Sequence, residues 1–267
     1  GTYNTSGSAN SVYVSGKYAY VADFTSGLQI IDISNPAAPS LAATYDTNGI
    51  ALDAYVLGKY VYIADYDYGL QIIDISNPAV PTLTGTYDTS GAAGVQVSGK
   101  YAYVADQSSG LRIIDISNPA APTLTGTYDT FEAEEVYISG KYAYIADDYL
   151  GLRIIDISNP AAPILIGSYV QSDRAYNVYV SGKYAYVAEG YSGLQIIDIN
   201  GIETPSLYAG NINTNALTAT ENIDVGNNLY VRSGLNVGQG GIFTDGFLTV
   251  AGTSSSSYFA NIVGIGT

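Results

Sequence analysis

The feature that most constrains this chain is that it repeats itself. Gly-Lys-Tyr recurs at Gly16, Gly58, Gly99, Gly140 and Gly182, in steps of 42, 41, 41 and 42 residues. Ile-Ile-Asp-Ile recurs in phase from Ile30, Ile72, Ile113, Ile154 and Ile196. Asn-Pro-Ala-x-Pro follows from Asn35, Asn77, Asn118 and Asn159, and in the fifth unit it decays to Asn200-Gly201-Ile202-Glu203-Thr204-Pro205. Five units at a period near 40 confine the chain to an array in which each unit buries its apolar faces against its neighbours.

Each unit reads as four short strands. In the first they are Val12–Ser15, Tyr18–Asp23, Gly27–Ser34 and Leu41–Thr47, rich in the Tyr, Val and Ile that favour extended backbone. A Ser-Gly-Lys turn joins the first pair and the double-proline segment joins the last. Strand three (Leu28, Gln29, Ile30, Ile31, Asp32, Ile33) is apolar on both faces, so it requires cover from both sides. The period, the four antiparallel strands and the two-sided burial together predict β-propeller blades.

Gly-Leu-x-Ile-Ile-Asp-Ile-Ser-Asn-Pro-Ala-x-Pro resembles the LVIVD repeat over residues 1–208. The resemblance implies a propeller from a family found largely in exported bacterial and archaeal proteins, and it implies no shared catalytic activity. The fold class expected is all-β: a five-bladed β-propeller of four-stranded antiparallel blades, residues 1–208, followed by a short-strand β assembly tail, residues 209–267. Closure is expected through the N-terminus, because Gly1-Thr2-Tyr3-Asn4-Thr5-Ser6-Gly7 matches Gly85-Thr86-Tyr87-Asp88-Thr89-Ser90-Gly91, the end of a fourth strand. On that reading the N-terminal strand completes the last blade, whose own fourth strand, Ser206–Ile212, has lost the Tyr-Asp pair.

The tail has a different character. It carries only four charges, Glu221, Asp224, Arg232 and Asp245, and a six-residue spacing links Ile223, Leu229 and Leu235, and likewise Val225, Val231 and Val237. Ile242, Phe243, Phe247, Leu248 and Val250 continue it imperfectly. Steps this short make too little core to stand alone. The candidate assembly segment is therefore Ile223, Val225, Leu229, Val231, Leu235, Val237, Phe243, Phe247 and Val250. The tail resembles phage tail-fibre and surface-fibre stalks, and Val263-Gly264-Ile265-Gly266-Thr267 resembles the sequence that precedes an endosialidase-type self-cleaving chaperone. That resemblance implies intertwined assembly, usually as trimers.

Composition removes most enzyme chemistry. With no His and no Cys there is no Ser-His-Asp triad, thiolate nucleophile, disulfide, iron–sulfur cluster or imidazole or thiolate metal ligand. Acidic side chains number 24 against 9 basic, a formal charge of −15, which argues against nucleic-acid partners. No apolar run approaches the ~18–20 residues that cross a bilayer, so no membrane span is expected. The chain starts at Gly1 and contains no Met, so it is expected to be a processed, exported product with a signal sequence removed, located outside the cell or on its surface.

Two sets of acids repeat once per unit: Asp32, Asp74, Asp115, Asp156 and Asp198 on strand three, and Asp23, Asp65, Asp106, Asp147 and Glu189 ending strand two. Each set reads either as an oxygen-ligand ring for a cation such as Ca²⁺ or, favoured here, as a local turn cap or pair. No metal or cofactor is expected. The turn lysines Lys17, Lys59, Lys100, Lys141 and Lys183 supply five of the nine cations. They form either a basic face for self-assembly or local rim pairs.

While the Ser-Gly-Lys and double-proline turns are nearly constant, the loops of the opposite face vary and carry aromatics. The candidate interaction face is Tyr55, Tyr66, Tyr68, Phe131, Glu132, Tyr149, Arg174, Tyr176 and Tyr191, suited to sugar stacking or a protein contact. The non-repeated acids Asp53, Glu132, Glu134, Glu135 and Asp173 are the candidates for a carboxylate glycosidase. Asn4-Thr5-Ser6 is a glycosylation sequon, and Ser254–Ser257 suits O-glycosylation. The function expected is that of a non-enzymatic filament or surface-appendage subunit whose partner is a copy of itself. The alternatives are a trimeric adhesin for a glycan or cell-surface receptor and, behind both, the glycosidase.

Overall fold

The computed structural model describes residues 1–89, 91–170 and 173–199. The chain divides into two units, Gly1–Tyr208 and Ala209–Thr267, and the described residues all belong to the first. The tail, its candidate assembly segment and the fifth double-proline turn lie outside them.

Among the described residues, nineteen strands run in chain order. Blade 1 comprises β1–β4 (Ser11–Ser15, Tyr18–Ala22, Leu28–Asp32, Ser40–Tyr45), and blade 2 comprises β5–β8 (Ala51–Leu57, Tyr60–Asp65, Gly69–Asp74, Thr82–Tyr87). Blade 3 is β9–β12 (Gly94–Ser98, Tyr101–Ala105, Leu111–Asp115, Thr123–Tyr128). Blade 4 is β13–β16 (Glu135–Ser139, Tyr142–Ala146, Leu152–Asp156, Ile164–Tyr169). Blade 5 is described through β17–β19 (Ala175–Ser181, Tyr184–Glu189, Gly193–Asp198). Strands pair antiparallel with their neighbours in sequence, so each blade is an up-and-down meander and the fold is a five-bladed β-propeller.

Local chemistry explains the meander. Ser15 pairs with Tyr18, leaving Gly16-Lys17 as a two-residue turn, and Gly16 takes φ +58°, with φ +60° to +63° at Gly58, Gly99, Gly140 and Gly182. A two-residue hairpin needs a left-handed first position, which only glycine adopts without strain. The next turn places Asn35 Oδ1 as acceptor for the Ala37 N–H at 3.2 Å, an Asx turn ahead of the second proline.

Burial is organised between blades. Tyr20, Leu28 and Ile30 of blade 1 form one cluster with Ala54, Val56, Val61, Ile63 and Ile73 of blade 2. The same arrangement recurs between blades 2 and 3, 3 and 4, and 4 and 5. Each fully buried Ile contributes about 1.5–3 kcal/mol through removal from water. Backbone bridges Phe24–Ala51, Gln107–Ala133 and Asp148–Ala175 stitch the top loop of one blade to the entry of the next.

Blades 5 and 1 differ. Among the described residues no core cluster joins them, and β19 pairs only with β18. The N-terminal segment expected to complete the last blade contacts blade 1. Thr5 donates its hydroxyl to Asp23 at 2.7 Å, and the Gly7 N–H donates to the same carboxylate at 2.8 Å. Tyr3, Asn4 and Thr5 line a cavity with Ala19, Val21 and Ile31 of that blade. No helix among the described residues is long and apolar enough to cross a membrane.

Candidate functional site

The inner strands β1, β5, β9, β13 and β17 surround a common axis. Residues at and just before the starts of these strands converge on a cavity of about 340 Å³ lined by Asn10, Ser11, Leu52, Asp53, Ala93, Glu134, Glu135, Tyr176 and Asn177, with residues from every blade. Polar links run around it. Ser11 and the Val95 N–H (2.9 Å) donate to Asp53, the Val136 N–H (2.9 Å) donates to Glu135 Oε1, and Asn177 Nδ2 lies 3.5 Å from Glu135 Oε2.

Asp53 and Glu135 keep some accessible surface, yet protein walls surround them in the axial space. Burial pushes both carboxyls up, Glu135 well above the ordinary range, and the neighbouring Asp53 charge pushes Glu135 in the same direction. Below them stands a collar built from the next inward position: Tyr13, Tyr55, Gln96, Tyr137 and Tyr179. The Tyr13 and Tyr55 rings lie 4.9 Å apart and those of Tyr137 and Tyr179 5.1 Å apart. Tyr55 therefore belongs to the axis rather than to the loop face where its sequence neighbours pointed.

At the mouth, Arg174 lies between two rings, 5.4 Å from the centre of Tyr149 and 5.3 Å from that of Tyr176. It pairs with Asp148 and lies 3.9 Å from Glu134. Burial and then the Asp148 and Glu132 charges raise the Glu134 carboxyl. Of the nine candidate face residues, the structure brings together Tyr149, Arg174 and Tyr176. Tyr66 and Tyr68 are exposed on one loop and Phe131 and Tyr191 on two others, and the Glu132 N–H donates to Asp147 at 2.8 Å.

The repeated acids have structural roles. Asp65 accepts the Asp67 and Tyr68 N–H groups (3.0 and 3.1 Å), and Asp106 accepts the Gly91 N–H (2.9 Å) and Arg112 (3.3 Å). Asp147 holds Arg153 at 3.1 Å. In blade 5 the roles are exchanged: Asp173 accepts the Tyr191 and Ser192 N–H groups, while the longer Glu189 is buried with neither carboxylate oxygen hydrogen-bonded. The strand-three acids pair with the turn lysine of their own blade, at 2.8 Å for Lys100–Asp115 and 2.9 Å for Lys59–Asp74. The lysine ring is thus a set of locally paired charges, each lysine also lying over the following Tyr. Among the described residues no three His, Cys, Asp or Glu side chains form a group that could hold a metal.

Comparison with known proteins agrees with this geometry. The LVIVD-repeat model matches five times, over residues 6–47, 48–89, 91–130, 132–171 and 173–209. The chain belongs to the LVIVD-repeat family. No curated protein matches it. Among solved structures, this LVIVD-repeat chain is similar to a candidate 6-phosphogluconolactonase from Bacteroides uniformis, with a TM-score of 0.63 at 15% identity over 72% of this chain and 68% of that one. It is similar to the β-propeller domain of Cps50 (Swd1) from Myceliophteria thermophila, with a TM-score of 0.57 at 13% identity over 71% and 69%. It also resembles the computationally designed Ika8 protein, with a TM-score of 0.58 at 10% identity, covering 72% of this chain and spanning 58% of that one. At such identities the likeness is one of fold alone.

Of the non-repeated acids, Asp53, Glu134 and Glu135 line the axial cavity, while Ser11 and Asn177 join them from strands that carry no candidate acid. The signal for this set lies in the inner strands, where Ser11, Asp53, Glu135 and Asn177 differ between blades that are otherwise near copies.

Proposed function

We propose that this LVIVD-repeat protein is a non-enzymatic, extracellular structural protein, the self-assembling subunit of a filament or surface appendage. The observation that carries the reading is in the sequence of the tail: four charges in 59 residues and a six-residue apolar spacing with too little core to stand alone, which makes it an assembly segment that packs on neighbouring subunits. Strand addition, which pairs main-chain groups across a joint, is the contact this reading assigns to the tail and the N-terminal strand. The engaged acids support a structural role. Asp53 and Glu135, the best placed pair for glycosidase chemistry, are each tied to neighbouring donors, and the repeated carboxylates cap turns or pair with lysines.

A second reading has one observation in its favour. Arg174 holds Tyr149 and Tyr176 as a rigid pair beside the axial mouth, with both rings still partly open. Such a pair suits a glycan or receptor contact, as in an adhesin.

Negative-stain electron microscopy with light scattering separates the two. Long regular fibres are the expected result. Discrete trimers that bind a glycan array, with binding lost in Tyr149→Ala, would replace the filament with the adhesin.

A further inference from the structure

Two levels of side chain face the axis, and at the upper one a missing side chain brings two acids together. Ser11, Asp53, Gly94, Glu135 and Asn177 occupy equivalent positions, since each pairs with the same alanine of its blade's second strand. Blade 3 therefore leaves this level to its neighbours. A Cβ on Gly94 would stand 2.8 Å from Glu135 Oε1, so the carboxylate of blade 4 lies where that side chain would be. Asp53 reaches in from blade 2 and accepts the Val95 N–H of the intervening blade at 2.9 Å. The acids of blades 2 and 4 thus meet across blade 3, and burial and then the Asp53 charge raise the Glu135 carboxyl.

Neither acid meets a cation of the chain. Among the described residues no lysine or arginine lines the axial space, and Arg174 at the mouth is held by Asp148 and by the Tyr149 and Tyr176 rings. Glu135 Oε2 has only Asn177 Nδ2 at 3.5 Å, the outer limit of a hydrogen bond. The lower level is aromatic. A second cavity of about 390 Å³ shares Ser11, Asp53, Glu135 and Asn177 with the first and continues down to Tyr13, Tyr55, Gln96, Tyr137 and Tyr179. Its rings leave space between them, and Tyr179 is 56% exposed although it stands on an inner strand.

We infer that this axial space binds a primary alkylammonium group, its head between Asp53 and Glu135 and its stem against the tyrosine collar. The carboxylates accept the ammonium N–H groups in charge-assisted hydrogen bonds. The rings cover the methylene stem and attract the positive charge through their faces. Ser11 and Asn177 flank the head from blades 1 and 5. A bare divalent ion fits the space less well, because it seeks six or more oxygens and no three acids gather as ligands among the described residues. The same chemistry is carried by a free small amine and by the lysine side chain of a peptide. The site is independent of the filament reading and stands whether or not the chain polymerises.

Isothermal titration calorimetry of the full-length protein at neutral pH, with n-pentylammonium chloride as the probe, tests the site. Saturable binding at one site is expected, and none with n-pentanol, which has the same stem without the charge. Asp53→Asn and Glu135→Gln keep the shape of each side chain and should each weaken binding by about tenfold or more. Tyr179→Ala, at the exposed ring, should weaken it by about two- to fivefold. A parallel titration with Nα-acetyl-lysine methylamide assigns the source: tighter binding than n-pentylammonium points to a peptide lysine, weaker binding to a free amine, and both keep the site. Four results overturn it: no saturable binding, equal binding of n-pentanol, binding of calcium chloride in place of the amine, or an affinity unchanged in both carboxylate variants. The n-pentanol and calcium titrations use the parent chain, so they decide the matter even where thermal melts show that a variant folds poorly.

Discussion

Blades 2 and 5 are near copies in sequence, yet identical residues meet different fates in them. Ile72 is fully buried between blades 2 and 3, while Ile196, the same position of the same strand, is 58% exposed. In a repeat array a residue's energetic weight is set by the neighbouring blade that covers it rather than by its own unit. Substitution tests this most severely. Ile72→Ala removes buried methyl groups and leaves a cavity, at a cost of about 2–5 kcal/mol, which lowers Tm by roughly 5–15 °C. Ile196→Ala in dilute, unassembled protein should fall within about 0.5 kcal/mol of the parent. Thermal melts of the two variants at low concentration make the comparison. Equal losses would mean that Ile196 is covered in the free chain.

The second contrast lies between the axis and the rim. Burial raises the carboxyl pKa of Glu135, so between the ordinary Glu value and that raised value the folded state binds more protons than the unfolded chain. Its contribution to stability therefore falls as pH rises through that window. Glu135→Gln removes the titrating group and should flatten the decline, giving a higher Tm than the parent at pH 8 and little difference near pH 4. A parent whose Tm rises steadily from pH 4 to pH 8, unchanged in slope by the substitution, would break this account of the axis.

The blades, their strand order and their turns were legible because each depends on local rules repeated five times. Gly16 and its equivalents needed a left-handed φ, and Asn35 and its equivalents needed an Asx turn; one unit would have been ambiguous, and five were not. The two-sided apolar character of Leu28–Asp32 likewise announced the inter-blade cores. What the repeats could not show was where side chains from different units meet. Asp53 and Glu135 are 82 positions apart in the chain and share a cavity only because the array curves around an axis. Tyr55 stands beside loop aromatics in sequence, yet the two-residue alternation of β5 turns it inward to Tyr13. The mouth cluster was half visible: Tyr149, Arg174 and Tyr176 stood out as unrepeated, whereas the pairing of Arg174 with Asp148 across two blades did not.

At the rim the expected effects are smallest, and they are spectroscopic rather than thermal. Asp115 is held to about 2 by Lys100 and by the Ser117 hydroxyl and N–H, and Asp74 likewise to about 2 by Ser76 and Lys59. A depressed carboxyl contributes stability above its ordinary pKa and loses it as pH falls toward the depressed value, here between about 4 and 2. Both partners of each pair are solvent-exposed, so screening leaves little of that interaction in the folding free energy. Lys100→Ala should therefore leave Tm at pH 7 nearly unchanged while the Asp115 carboxyl titration moves upward, read by carbon-detected NMR against Asp74 in the same spectrum. The Ser117 hydrogen bonds remain, so the shift should be partial. A full return to the ordinary Asp value would mean that the lysine alone sets the charge. No movement would mean that the turn does, with the five lysines then serving chiefly to cover the Tyr rings beside them.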